Sequence, residues 1–421
     1  MKRKNQKIGA AVVAASAAAL AVAAVFPTPG APSAEASASK AKNVILFVGD
    51  GMGAAQREAI RLSTVGLKGQ LAMDDMPYSA LIHTSSTVHV TDSAAAATAF
   101  ASGVKTYNGA IGVDANKKPV KTIMEYAKEA GMSTGVVTTS QVTDATGAAF
   151  GAHVDDRSKQ SDIALQYLTK SKLDVILGGG EDFWYPAGQA GGFKDEPAED
   201  PSEKSKGTQG NLVAKAKQLG YSYVTNKAGL QQAKGTKLLG LFANEEMFQQ
   251  KPEGEGDIYN PVVSLPDMAK KAIDTLSKNK KGFFLMVEEE GTDEMAHSNN
   301  AKLTIKAGQE LDKAVQVAKD FAKKNPDTLV LVLADHETGG FSIEDVDDQD
   351  ESGDGISKED GPFAIANSKE TFTVDWTTSG HTAVDVPVTA TGRNAGLFTG
   401  TFENTEIFKK LMQATGLSAK K

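Results

Sequence analysis

The chain has no cysteine, only two tryptophans and only six histidines among its 421 residues. Without cysteine there is no disulfide framework, no Cys-ligated zinc and no thiolate nucleophile. Basic residues are the minority charge, 45 Lys and Arg against 53 Asp and Glu, for a formal net charge of −8. That balance argues against a nucleic-acid-binding surface. No apolar run beyond Ala38 is long enough to cross a bilayer. Complete EF-hand spacing is missing from the acid-rich stretch 344–360, and no lipase-type G-x-S-x-G surrounds Ser93. The Gly49-Asp50-Gly51-Met52-Gly53 run is not G-x-G-x-x-G, and it sets an acid where a dinucleotide phosphate would approach. What remains is a chain with 40% hydrophobic residues, ordinary for a globular protein and long enough for a large α/β unit.

Four basic residues, Lys2, Arg3, Lys4 and Lys7, precede an uncharged Ala-rich run over 8–26, and Pro27, Pro29 and Pro32 follow. Two A-x-A patterns, at 34–36 and 36–38, complete the signature of a secretory signal peptide over 1–37. The expected product is an exported protein, secreted, periplasmic or wall-associated, with no membrane span after cleavage. Residues 38–421 are expected to form one catalytic domain with surface excursions near 186–210 and 344–360.

Continuous apolar runs at 43–49 (NVILFVG), 134–139, 173–177, 283–287 and 328–334 (TLVLVLA) predict strands covered on both faces. Helical patterns at 93–102, 120–130, 161–171, 265–279 and 303–324 alternate with them. This alternation predicts an α/β fold: a mostly parallel central sheet, helices on both faces, and a ligand site at the strand C-terminal edge.

The residues after these strands share one chemistry. The first strand leads into Asp50, the second towards Asp144 and Thr146, and the fourth into Glu288, Glu289 and Glu290, then Asp293 and His297. The fifth leads into Asp335 and His336. Carboxylates gathered at one edge cannot all stay ionised unless cations sit among them. The histidine–carboxylate mixture suits Zn²⁺ and the all-oxygen part suits Mg²⁺. Asp293 and His297 are spaced i, i+4, so one helical turn aims both the same way. His381 is a further late candidate. Ser93 precedes an alanine run at a predicted helix start; serine there is commonly only an N-cap, but the free N–H groups also favour an anionic nucleophile or a phosphate.

The segments NVILFVGDGMG (43–53), TDSAAAATAFASG (91–103), DATGAAFGAHVDDR (144–157), 288–297, ADH (334–336) and SGHT (379–382) resemble, in order, those of the bacterial alkaline phosphatases. The resemblance implies a metal-dependent alkaline phosphomonoesterase acting on small phosphate monoesters through a phosphoserine on Ser93, with Arg157 clamping the phosphoryl oxygens. It implies two Zn²⁺ and one Mg²⁺. One zinc would be held by Asp293, His297 and His381, and the other by Asp50, Asp335, His336 and the Ser93 oxygen. Magnesium would take Asp50, Thr146 and Glu288, with Asp144 in its water shell. His153 matches a family histidine near the site, and the family's frequent dimerisation leaves a homodimer open. Two departures stand out. Three consecutive glutamates occupy 288–290, of which spacing to Asp293 selects Glu288, and Glu294 replaces the Lys, His or Trp that many members carry. A phosphodiesterase of the same superfamily and a non-catalytic metal- or phosphate-binding protein are the rival readings.

Overall fold

A computed structural model describes residues 39–193, 204–248, 258–346 and 359–418. The expected signal peptide and the central parts of both expected excursions lie outside the described residues. The chain separates into residues 1–38 and a compact unit from Ser39 to Lys421.

In chain order the strands are β1 (Asn43–Gly49), β2 (Tyr78–His83), β3 (Ser133–Gln141), β4 (Val175–Gly179), β5 (Ser222–Val224), β6 (Leu238–Leu241), β7 (Phe283–Glu289), β8 (Thr328–Leu333), β9 (Glu337–Thr338), β10 (Ser342–Glu344), β11 (Asp360–Ala364), β12 (Thr371–Asp375), β13 (His381–Thr382), β14 (Val386–Gly392) and β15 (Gly400–Glu403). The helices are α1 (Ala54–Val65), α2 (Ser93–Ser102), α3 (Ile123–Glu129), α4 (Ala145–Gly151), α5 (Gln160–Thr169), α6 (Leu212–Gln218), α7 (Lys227–Gln232), α8 (Leu265–Leu276), α9 (Gly291–His297), α10 (Ala301–Lys324) and α11 (Thr405–Thr415).

A ten-stranded sheet runs in the order β15-β2-β14-β8-β1-β7-β3-β4-β6-β5. From β8 to β5 every pairing is parallel, and β14 alone runs against both its neighbours. The central strands β1, β7 and β8 are buried almost throughout, which explains their continuous apolar sequences. Because β8, β1, β7 and β3 are parallel neighbours, their C-terminal ends open onto one edge. In that register Val48 lies beside both Glu288 and Leu333, so Asp50, Glu288 and Asp335 emerge together.

Some boundaries differ from the sequence expectation for physical reasons. The strand expected at 173–177 starts at Val175, because Asp174 turns its carboxylate to the Thr134 N–H (2.9 Å) and Lys128 Nζ (2.7 Å). The helix expected from 120 begins at Ile123, where Thr122 and Glu125 form a reciprocal capping box. Strands β2 and β14 do not read as continuous apolar runs. The former alternates exposed and buried residues, and the latter carries Pro387 where only its β2 side is paired.

Helix α10 crosses α1 through Gly308, where a Cβ would collide with the Ile60 side chain. Gly308→Ala should therefore lower stability by about 1–3 kcal/mol despite its better helix propensity. A denaturant melt with an unchanged midpoint would show that α1 and α10 can separate freely.

Candidate active site

Two short strands bring the late-sequence histidine to the sheet edge. β13 pairs antiparallel with β9, setting His381 opposite Thr338, just after Asp335 and His336. On α9, Asp293 and His297 share a face, with His297 Nε2 3.2 Å from Asp293 Oδ2. His297 Nδ1 lies 2.6 Å from the Ser379 carbonyl, and His381 Nδ1 lies 2.9 Å from that of Thr91. A carbonyl can only accept, so each Nδ1 carries a proton, and in the neutral ring that a metal ligand requires each Nε2 presents a lone pair. Those two Nε2 atoms face each other at 3.1 Å. Without a metal a proton relieves that approach: burial lowers His297, but Asp293 prevails and raises it to about 9. With both rings neutral the two lone pairs need a cation between them, so this donor set fits a metal.

Beside them lies the second group. Asp335 Oδ1 accepts from the N–H groups of Gly51 (3.1 Å) and His336 (3.0 Å), while Oδ2 is buried without a hydrogen bond. That orphan oxygen is 3.3 Å from His336 Nε2, which also lies 3.3 Å from Asp50 Oδ1. Asp293, His336 and His381 form one compact ligand cluster, and Asp50, Asp335 and His336 another. His336 thus stands between the groups that the sequence kept apart. Gly51 has φ +64°, and a Cβ there would meet Asp293 Oδ1 and Thr338 Oγ1, so the turn after β1 requires glycine.

Ser93 is not the N-cap of α2. Asp92 caps the helix, accepting from the Ala95 N–H at 3.0 Å, and so frees the serine hydroxyl. Ser93 Oγ lies 3.2 Å from His336 Nε2 and 3.4 Å from Asp50 Oδ1, with the residue only 4% exposed. Arg157 Nη2 donates to both oxygens of Asp144, at 2.8 and 3.1 Å, and Nη1 lies 3.5 Å from Asp92 Oδ2. Asp144, burial and Asp92 act in that order on the guanidinium; the two acids prevail and secure its charge.

The three glutamates part company. Glu288 Oε2 accepts from Thr138 Oγ1 at 2.6 Å, and Thr146 Oγ1 donates to Asp50 Oδ2 at 3.2 Å, which places an all-oxygen set beside Asp50. Glu289 points to the other side, bound by Thr139 (2.8 Å) and Tyr259 (2.6 Å), as the alternation along a strand predicts. Glu290 stands at the N-terminus of α9, facing Asp144, Glu294 and Glu246.

Burial, then repulsion from Asp335 and Asp293, pushes Asp50 well above the carboxylate range. Burial and Asp293 raise Asp335 to about 7, and burial and then Asp293 raise Glu294 to about 8. Burial alone would raise Asp293, but His297, His336 and His381 hold it well below its ordinary value. Burial, reinforced by His381, drops His336 to about 3, keeping its ring neutral as a ligand must be.

His153 is the site residue that the structure sets apart: its ring binds the Gly112 carbonyl (2.7 Å) and Glu125 (3.2 Å). Sequence reasoning missed Asp92, Thr138 and Thr338, the last of which donates to Asp293 Oδ1. The pairing of Asp92 with a downstream Ala95 N–H is a signal in the sequence, since Asp is as good an N-cap as Ser.

The family profile described as alkaline phosphatase matches residues 41–364 and 345–417. The chain belongs to the alkaline phosphatase family. Alkaline phosphatase 4 of Bacillus subtilis (strain 168) is 40% identical over 314 residues, which span 72% of this chain and 62% of that one. Alkaline phosphatase of Escherichia coli (strain K12) is 34% identical over 427 residues, covering 90% of this chain and 86% of that one. Among solved structures, the alkaline phosphatase of the Antarctic bacterium TAB5 superposes with a TM-score of 0.71 at 33% identity, covering 90% of this chain and 100% of that one. A variant of that enzyme has Mg bound in its M3 site. Among the described residues of this alkaline phosphatase, no helix is long and apolar enough to cross a membrane.

Proposed function

We propose that the chain is an exported, metal-dependent alkaline phosphomonoesterase that works through a phosphoserine on Ser93. The observation that carries this reading is the Ser93 hydroxyl, released from capping and set against His336 Nε2 and Asp50 at the start of α2. Family membership and the two ligand clusters support it.

Asp293, His297 and His381 would hold one Zn²⁺, and Asp50, Asp335 and His336 with Ser93 the other. Asp50, Thr146 and Glu288 would hold Mg²⁺, with Asp144 in its water shell. When bound, these ions supply Lewis acidity: they favour an ionised serine, offset charge on the departing alcohol oxygen and ionise the hydrolytic water. The residues do the rest. Ser93 Oγ gives up its proton and attacks phosphorus; the ester P–O bond breaks and the alcohol leaves, taking a proton. The free N–H groups of the first turn of α2 favour the anion on Ser93 and the negative phosphoryl oxygens. Water then attacks the phosphoserine, the bond to Oγ breaks, and serine is restored with release of phosphate. Arg157, about a third exposed and oriented by Asp144 and Asp92, turns a permanently charged fork to two phosphoryl oxygens. His336, kept neutral by burial, sets Nε2 3.2 Å from Ser93 Oγ, where in the Nδ1-protonated tautomer it presents a lone pair rather than a competing proton.

Arg157→Lys keeps the charge but loses the fork, and is expected to lower kcat/KM for an aryl phosphate by about 10–100-fold. An unchanged value would remove Arg157 from phosphate recognition. The function itself is tested by comparing an aryl phosphate monoester with the diester of the same alcohol, zinc and magnesium being supplied. The expected result is strong preference for the monoester, with phosphate trapped on the Ser93 peptide after an acid quench. Preference for the diester would assign the site to a phosphodiesterase, and absence of turnover would leave a binding protein.

A further inference from the structure

Two loops must hold still relative to each other for one phosphoryl group to meet both Ser93 and Arg157. One, 84–92, leads from β2 into α2, and the other, 152–159, joins α4 to α5; neither contains a regular helix or strand. Their direct side-chain contact, Arg157 Nη1 to Asp92 Oδ2, is long at 3.5 Å. The segment 107–112 ties them together, bonding to the two sides almost residue by residue. Tyr107 Oη donates to the Asp155 carbonyl at 2.9 Å, on the arginine side. Asn108 serves the serine side: Nδ2 donates to the Val90 carbonyl (3.1 Å) and Oδ1 accepts from Ser86 Oγ (2.7 Å). A carbonyl can only accept, which fixes the amide in this orientation. Gly109 serves both, its N–H donating to Asp92 Oδ2 (2.8 Å) and its carbonyl accepting from the Arg157 N–H (2.9 Å). Thr98 Oγ1 of α2 donates to the Ala110 carbonyl (3.1 Å) and accepts from the Gly112 N–H (3.0 Å). Ile111 exchanges backbone hydrogen bonds with Val154, at 3.0 and 2.9 Å.

The segment begins as a four-residue turn, closed from the Ala110 N–H to the Tyr107 carbonyl at 3.2 Å. Gly109 takes its third position at φ +86°, a left-handed backbone that glycine adopts without strain. A Cβ there would meet no atom within 4 Å, so the requirement is conformational rather than one of space. One glycine thus links the acid that caps α2 to the backbone that carries the guanidinium. Asn108 supplies the side-chain anchors of this turn on the serine side. It is exposed, so its truncation opens no cavity and should cost the fold little.

We propose that the turn 107–110 sets the Arg157 fork at its working distance from Ser93 Oγ, and that Asn108 is the positioning residue that holds this turn. This rests on the roles given above to Ser93 and Arg157. Asn108 acts through Ser86 and Val90 rather than by touching the phosphoryl group. When it is truncated, the loop that leads into Ser93 and the loop that carries Arg157 drift apart by a fraction of an ångström. The fork then meets the phosphoryl oxygens out of line with the attacking hydroxyl, and small misplacements at a reacting centre are costly.

The test is a double-mutant cycle between Asn108→Ala and Arg157→Ala, with zinc and magnesium supplied. It is read on kcat/KM for an aryl phosphate, on inhibition by inorganic phosphate and on Tm. With Arg157 present, Asn108→Ala is expected to lower kcat/KM by about tenfold and to weaken phosphate inhibition in the same direction. In the Arg157→Ala background the same change should cost less than about twofold, because no fork is left to place. Its effect on Tm should be equal in both backgrounds, which separates positioning from loss of stability. Gly109→Ala repeats the cycle through the backbone and should couple to Arg157 with the same sign, which keeps the test open if Asn108→Ala misfolds. An equal loss of kcat/KM in both backgrounds overturns the proposal, as does an unchanged value in Asn108→Ala. If the wild type turns over the ester and no coupling appears, the turn loses its role and the phosphatase reading stands. If the wild type turns over no ester, that reading falls and the cycle is read on phosphate binding by calorimetry; a protein that does not bind phosphate either sinks both.

Discussion

Ser93→Ala is expected to lower turnover of an aryl phosphate monoester by on the order of 10⁴-fold or more, with metal content close to wild type. The size follows from position. Ser93 Oγ lies 3.2 Å from His336 Nε2 and 3.4 Å from Asp50 Oδ1, and its loss would leave water to attack phosphorus without a pre-positioned anion. The fold should tolerate the change, since Asp92, not Ser93, caps α2 and alanine is the best residue for a helix interior. The variant should also lose the acid-stable phosphate expected to be trapped on this segment. If turnover survives, or if phosphate is trapped on another residue, the nucleophile has been misassigned. Metal analysis of the same sample separates loss of the hydroxyl from loss of ions.

Chelation is expected to produce the second large effect: activity falls by more than about 100-fold and returns on adding zinc and magnesium. Stripping the metals should also change how stability depends on pH. In the metal-free fold burial raises Asp335 to about 7 and Glu294 to about 8, from ordinary values of 3.8 and 4.5. Between the ordinary and the raised value the folded state holds protons that the unfolded state has released. Stability contributed by these groups therefore declines as pH rises through that window. With cations bound, the carboxylates ionise at little cost, and ligand binding itself strengthens as pH rises. The Tm difference between loaded and stripped protein should accordingly widen from about pH 5.5 to about pH 8.5. A gap that stays constant or narrows would mean that cations do not neutralise this cluster.

The parts of the site that were legible in the sequence are those set by strand ends. Continuous apolar runs mark β1, β3, β7 and β8, and in a parallel sheet the acids that follow them must meet at one edge. The i, i+4 spacing of Asp293 and His297 survives as a helical face, and period-two alternation correctly turns Glu289 away from Glu288. What was not legible depends on contacts across long separations. Thr338 on Asp293 and Thr138 on Glu288 look, in the sequence, like ordinary strand threonines. His336 falls between the two ligand groups only because β9 pairs with β13. His153 lies within a recognisable segment, yet its ring is held by Gly112 and Glu125, partners that its sequence neighbours do not reveal. The alternating strand β2 and the proline-bearing β14 escaped a search for continuous runs, although they extend the sheet beyond β8.

The bond from the Gly51 N–H to Asp335 joins residues 284 positions apart, and His381 lies farther along still. Closing so long a loop is slow, and nothing compensates for it until the β8–β1–β7 strands have paired. A chain emerging in an extended form, with its C-terminal segment not yet delivered, therefore has no complete ligand set to offer. Ion capture would then be a late event that registers the finished sheet, and the supply of metal ions where folding ends would govern how much of the protein becomes active.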